Sequence, residues 1–281
     1  MNQAVDPELR AIHFEALNLY NREISIARSV PTIADSIRAT SFLAEQATIF
    51  ADAALILMED ARQPLNVPAA LLRTCLEAQA RSNHIIAAKG GERENRASEL
   101  VKLMHIGHEY YYKSAIQQMK DFISDESKLL PRDRPYFAGM KSMANEIDTS
   151  NLVPLKRQYK QISNNWTYGK VIERDKFSDP ASLNRSEVQP LQPMLDLTYM
   201  QCCAFVHCDP ASIQHRQLLT PVSVVYSLVL TEMITIFCFF VALGKEKDQD
   251  LVNLKKRIMT FDINERILPK KDIPANWSHP S

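Results

Sequence analysis

A chain of 281 residues with 46% hydrophobic content has ample material for a sizeable core, and its length admits one domain or two. Lys plus Arg and Asp plus Glu each number 33, so no global basic field steers the chain to nucleic acid or to an anionic membrane, although balance does not mean even mixing. Only six glycines occur, which leaves little material for a glycine-built phosphate cradle and favours helices over hairpins.

The predicted elements begin with a helix over residues 7 to 29. Pro7 suits a first turn after Asp6, and Leu9, Ile12, Ala16, Leu19 and Tyr20 recur at helical spacing. Pro31 ends that run, and Thr32 with Asp35 resembles a capping pair opening a second helix to about Ala61. Pro64 to Pro68 connects to a third helix, Pro68 to Lys89, which Gly90-Gly91 ends. A fourth runs from Glu92 to Ser127. After a connection at 131–135, a fifth covers Tyr136 to Ile147.

Residues 148 to 196 are the least regular. Pro180, Pro190 and Pro193, with several Ser and Asn, predict loops around short helices, and Trp166 and Tyr168 anchor such loops to a core. Next comes LTYMQCCAFVHCD, Leu197 to Asp209, an apolar helical run ending on a histidine. Tyr199, Cys203 and His207 fall at four-residue steps and share one side, and Asp209-Pro210 is a stop.

Pro221 starts a helix over Val222 to Leu243 with one charge, Glu232. It is long enough to span a bilayer of about 30 Å. A mid-span carboxylate is unfavourable there by about 2.5–3.5 kcal/mol. Ser223, Ser227, Thr231 and Thr235 also form a polar stripe, so a core helix surrounded by neighbours is expected, with no membrane span. An amphipathic helix over Asp248 to Met259 follows, then an irregular tail over 269–281. Nothing alternates as a strand does. The expectation is an all-α, multi-helix bundle, one helical domain over 1–268 with a loop-rich insert around 148–196.

Cys75, Cys202, Cys203, Cys208 and Cys238 are odd in number, and several lie in apolar helical stretches. They read as free thiols of a reducing cytoplasm, and the first residues lack a secretory pattern. His105 and His108, three apart beside Glu109, lack a third metal ligand at convincing spacing. They read as a partly buried pair beside a tyrosine cluster. The Cys and His residues between Cys202 and His215 match no zinc spacing, and no Walker loop, GxGxxG, HExxH or GxSxG occurs. No metal or cofactor is expected.

Arg73, Glu77, Arg81 and His84 form one polar stripe of the third helix. As a solvated face its i,i+4 pairs are worth about 0.2–0.5 kcal/mol each. As a buried Arg–Glu pair facing another helix it would hold an anion or orient a base.

LLRTCLEA at 71–78, NWTYGKVIERDK at 165–176 and LTYMQCCAFVHCDPASI at 197–213 stand in the order of a known pattern. It is Arg-x3-Glu, then Trp-Ser followed by an Arg, then Tyr-x3-Ser-x3-His. The chain thereby resembles an uncharacterised family of helical bacterial proteins, a domain of unknown function. That family is distantly similar to HEPN proteins, all-α dimers that include toxin and antiviral ribonucleases. The resemblance implies a metal-independent endoribonuclease. His207 would be its acid or base, Arg73 or Arg174 would stabilise the phosphorane, Glu77 would orient the arginine, and Trp166 and Tyr199 would bind. It also implies RNA or a cognate protein as partner, and a homo-oligomer. Thr167 and Cys203 depart from the pattern's serines, and a thiol donates hydrogen bonds weakly. The HEPN signature, Arg, then four to six residues, then His in one helix, is absent. Arg10–His13 and Arg81–His84 are too close, and Arg96–His105 is too far. The alternative is a non-enzymatic scaffold or regulator of a defence or toxin–antitoxin system, with these side chains as a packing network.

Overall fold

Proline, glycine and acidic caps place most helix boundaries where the sequence puts them. The computed structural model describes residues 5–29, 33–59, 65–124, 130–132, 134–175, 192–206 and 220–261. Among these residues there are ten α-helices and no strand. They are α1 (Pro7–Arg28), α2 (Asp35–Glu59), α3 (Asn66–Ala87), α4 (Gly91–Ser124), α5 (Arg134–Asn145), α6 (Leu152–Ser163), α7 (Tyr168–Asp175), α8 (Gln192–Val206), α9 (Pro221–Ala242) and α10 (Gln249–Met259). The architecture is all-α. Gly90 follows α3 at φ 54°, a left-handed conformation that favours glycine. Thr32 lies outside the described residues. The start of α2 is instead held by Glu94, whose Oε2 accepts from the Ser36 N–H at 3.1 Å.

The stretch from 148 is more regular in its first half than its prolines imply. α6, a 3₁₀ turn at Asn164–Trp166 and α7 occupy it. Pro180 and Pro190 lie outside the described residues. Pro193 falls in the first turn of α8, where a missing N–H removes no helical bond, so that helix starts before Leu197.

Where one helical domain is expected over 1–268, the backbone clusters into two compact units, Met1–Ala97 with Ile172–Ser281, and Ser98–Val171. α4, 34 residues long and extending about 51 Å at 1.5 Å each, contributes to both units, with the division after Ala97.

In the first unit α9 is central and packs on α1, α2, α3 and α10. A helix apolar on all sides needs such surroundings. Its buried Thr231 and Thr235 hydroxyls donate to the carbonyls of Ser227 and Thr231, so the polar stripe is satisfied within the helix. By length and composition α2 and α9 could each cross a membrane. In this fold 89% of the apolar window of α9 is buried, against 44% for α2. α2 presents Ala39, Ala44, Ala47, Ala51 and Ala54, all fully buried, and α3 and α9 pack against α2. α8 packs along α3. Arg22 bonds Asp248 at 2.7 Å and Asp250 at 3.1 Å, and Arg257 bonds Glu8 and Glu15, so ion pairs clasp α10 to α1.

α9 starts with a reciprocal cap. The Thr220 Oγ1 accepts from the Ser223 N–H at 3.1 Å, and the Ser223 Oγ accepts from the Thr220 N–H at 2.9 Å. Thr220→Ala should therefore cost about 1 kcal/mol, read as a lower urea midpoint at unchanged m-value, with Thr220→Ser retaining most of the stability.

The second unit is tied through polar side chains. Lys113 Nζ donates to Asn151 Oδ1 at 2.9 Å, Lys120 Nζ to the Ile147 carbonyl at 2.8 Å, and Thr149 Oγ1 to Gln117 Oε1 at 2.6 Å. The Tyr159 ring of α6 lies against Gly107 of α4, where an added Cβ would stand 3.1 Å from it. Ile106 and Gly107 take the inward positions of that turn, so His105 and His108 are exposed rather than partly buried.

Candidate functional site

Arg73 and Glu77 lie one turn apart on α3, on the side that α8 covers. Tyr199 of α8 donates its phenol to Glu77 Oε1 at 3.2 Å, across 122 residues of sequence. Arg81 Nη2 reaches Glu77 Oε2 at 3.4 Å. Arg73 Nε stands 3.3 Å from Glu77 Oε1, an ion pair without hydrogen-bond geometry. The Arg73 guanidinium also lies over the Tyr199 ring, 5.7 Å from its centroid. Three of the expected site residues thus come together. The stripe is neither fully solvated nor fully buried, with Arg73 at 26% and Glu77 at 23% exposure.

The electrostatics follow from this packing. Burial disfavours the Arg73 charge, but Tyr199, Cys203 and Glu77 more than compensate and hold its pKa above the ordinary value. Burial, then the charges of Glu77 and Cys203, push the Tyr199 phenol up to about 12. At neutral pH Tyr199 is a hydrogen-bond donor. Within this quartet the Glu77 carboxylate meets both guanidiniums and the Tyr199 phenol.

His84 leaves this stripe, and the remaining expected residues lie in the second unit or outside the described residues. His84 is buried, away from the half-exposed stripe, where Arg96 donates to its carbonyl at 2.7 Å and approaches its Nδ1 at 3.3 Å. A guanidinium only donates, so Nδ1 is the acceptor. Trp166 belongs to the second unit and is 1% exposed, which leaves no ring face for a ligand; it anchors its own turn. His207 and the side chain of Arg174 lie outside the described residues. Among the described residues no group of three or more His, Cys, Asp or Glu could hold a metal ion. Cys75, Cys202, Cys203 and Cys238 are free thiols.

Sequence reasoning missed a second constellation. Glu232, fully buried at the middle of α9, accepts from His13 Nδ1 at 2.8 Å, and His13 Nε2 stands 3.4 Å from Asp52 Oδ1. His13 is 1% exposed and Asp52 46%, so imidazole links a core carboxylate to a surface one. Burial opposes a charge on His13, but hydrogen bonds and attraction from Glu232 and Asp52 outweigh it and raise its pKa. Burial raises the pKa of Glu232, and His13 opposes that rise only in part. Thr48 also favours the ionised form, though its Oγ1 and Glu232 Oε1 do not meet in hydrogen-bond geometry. His13 repeats the inward spacing of Leu9, Ile12 and Ala16, and that placement was the available signal.

A cleft of about 480 Å³ runs between α1 and α10 beside Asn18 and Asn253. Its charged lining residues Glu15, Arg22, Asp250 and Arg257 are already engaged in the ion pairs that clasp these helices. No protein family, curated protein or solved structure matches the chain.

Proposed function

We propose that the α3–α8 seam is the phosphate-binding half of a metal-independent ribonuclease of the toxin or antiviral-defence kind. The observation that supports this most is the meeting of Arg73 and Glu77 with Tyr199, immediately before the chain reaches His207. In this reading His207 removes the proton from a ribose 2′-hydroxyl. The oxygen attacks the adjacent phosphorus, the P–O5′ bond breaks, and the leaving oxygen takes a proton. The products are a 2′,3′-cyclic phosphate and a 5′-hydroxyl, with no net water consumed. Arg73 meets the charge that builds on the phosphorane, and Glu77 with Tyr199 fixes the direction of its guanidinium. Arg174 is the second cation that the family pattern supplies.

One observation favours the alternative of a non-enzymatic helical scaffold. Tyr199, Arg73 and Arg81 all engage Glu77, and such a closed network also serves to fix helix packing.

Purified wild type is expected to cut an oligoribonucleotide in the presence of EDTA. Arg73→Ala should lower the rate by about 10²–10³. His207→Ala should lower it by about 10²–10⁴. Melting temperatures measured alongside separate lost chemistry from lost fold. Rates for both variants equal to wild type would remove these residues from catalysis, and an inert wild type would favour the scaffold.

A further inference from the structure

The zero net charge of the chain conceals a segregation. Between Ser98 and Val171 there are eleven Lys and Arg against eight Asp and Glu, so the second unit is basic and the first acidic. The excess shows most clearly on α6, which carries Lys156, Arg157 and Lys160 and no acidic residue. All three are exposed, and none forms an ion pair among the described residues.

Aromatic rings stand beside these cations. Tyr159, from the same turn, stacks on Tyr110 with centroids 5.5 Å apart. Tyr111 meets Tyr159 edge-on at 5.4 Å, and their hydroxyls are 3.1 Å apart. Tyr111 is nevertheless 59% exposed. Tyr112, also exposed, lies parallel to the His108 ring at 6.3 Å. Gly107 makes the arrangement possible, because a side chain there would displace Tyr159.

We propose that this surface of the second unit binds single-stranded nucleic acid. Lys156, Arg157 and Lys160 neutralise successive phosphates, and bases stack on Tyr111 and Tyr112. A basic helix also suits an anionic membrane, but of the large apolar side chains of α6 only Val153 is exposed, too little to insert. Leu155 is buried, and the Tyr159 ring is taken up by α4. Exposed phenol rings on α4 and cations on α6 that form no ion pair among the described residues match the requirements of unstacked bases on a flexible polyanion. The inference stands on the second unit alone and does not require the ribonuclease reading.

The test uses the full chain and a fluorescein-labelled 2′-O-methyl oligouridylate of about twelve nucleotides, long enough to cover a typical single-strand site. That probe lacks a free 2′-hydroxyl and resists the proposed cleavage, so binding is read apart from chemistry. Three phosphate contacts predict that a fourfold rise in salt weakens binding about twentyfold. Reversing all three charges (Lys156→Glu, Arg157→Glu, Lys160→Glu) should weaken it at least about tenfold. Tyr111→Ala should weaken it about tenfold through lost stacking. These side chains are exposed, and unchanged melting curves confirm that the variants fold. No binding at low salt, or charge reversal within twofold of wild type, overturns the proposal. So does an unchanged affinity of Tyr111→Ala, which reduces the surface to a general polyanion contact. Capture of the chain by phosphatidylserine vesicles without binding of the oligonucleotide assigns the surface to membranes instead.

Discussion

Replacing His13 with alanine should destabilise the first unit by about 3–5 kcal/mol, the largest single effect expected outside a helix-breaking change. The imidazole is the group hydrogen-bonded to the Glu232 carboxylate, which is fully buried inside α9. Without His13 that carboxylate must stay charged in a core of low dielectric or take up a proton that bulk solvent at pH 7 surrenders only at a cost. The remaining partners do not rescue it: Oε1 makes no hydrogen bond, and Cys75 on α3 is a buried thiol whose pKa burial, and then Glu232 itself, drive far up. Replacing both members of the pair has a different outcome. His13→Leu with Glu232→Met removes two buried polar groups together and should leave stability within about 1 kcal/mol of wild type, or raise it. Urea midpoints of His13→Leu, Glu232→Met and the double variant, each against wild type, form a thermodynamic cycle. Simple additivity would mean that the pair carries no coupling energy, and the assignment would fail.

The same pair marks the boundary of what the sequence could reveal. Helix positions were legible because their signals are local. Pro7 and Pro221 lie in first turns, Gly90 follows α3 with positive φ, and Asp248 caps α10 by accepting from the N–H groups of Asp250 and Leu251. The approach of α8 to α3 was legible in part, because two short motifs held Arg73, Glu77 and Tyr199, and the structure brings those three together. The contact between His13 and Glu232 joins residues 219 positions apart, and no local pattern encodes it. Two half-signals existed. A lone carboxylate in an otherwise apolar helix needs a partner, and a histidine at an inward position of α1 needs one too. Joining them requires the packing of α1 on α9, which periodicity alone does not supply. The division into two units was hidden for a related reason. α4 continues as one helix past Ala97, so no local signal marks the division.

Stability should fall as pH rises from about 6.5 to 8.5, by about 1.4 kcal/mol for each pH unit over which folding takes up one full proton. The sign follows from the two groups taken separately. His13 is raised above its unfolded value of 6.5, so its contribution is complete below 6.5 and is lost as pH climbs through the folded value. Glu232 is raised above 4.5, so its ionisation penalises the fold progressively above 4.5 and not below. Both therefore weaken the fold in the same direction. In the unfolded chain at pH 8 the imidazole is largely neutral and the carboxylate ionised, so the two groups hold almost no proton. In the folded chain both groups are raised, so the pair holds its proton to higher pH than the unfolded chain does, through attraction between His13 and Glu232 in a medium that will not accept a bare charge. Folding is thus proton uptake across this window. The upper limit is set below the unfolded thiol value of 9.0, because the buried Cys75 and Cys202 add a slope of the same sign above it. The variant carrying both His13→Leu and Glu232→Met separates the sources: its stability should be nearly flat from pH 6.5 to 8.5 while wild type declines. A wild-type urea midpoint that stays level or rises over that range would mean the pair carries no extra proton, and the buried Glu232 would then be ionised beside a neutral imidazole.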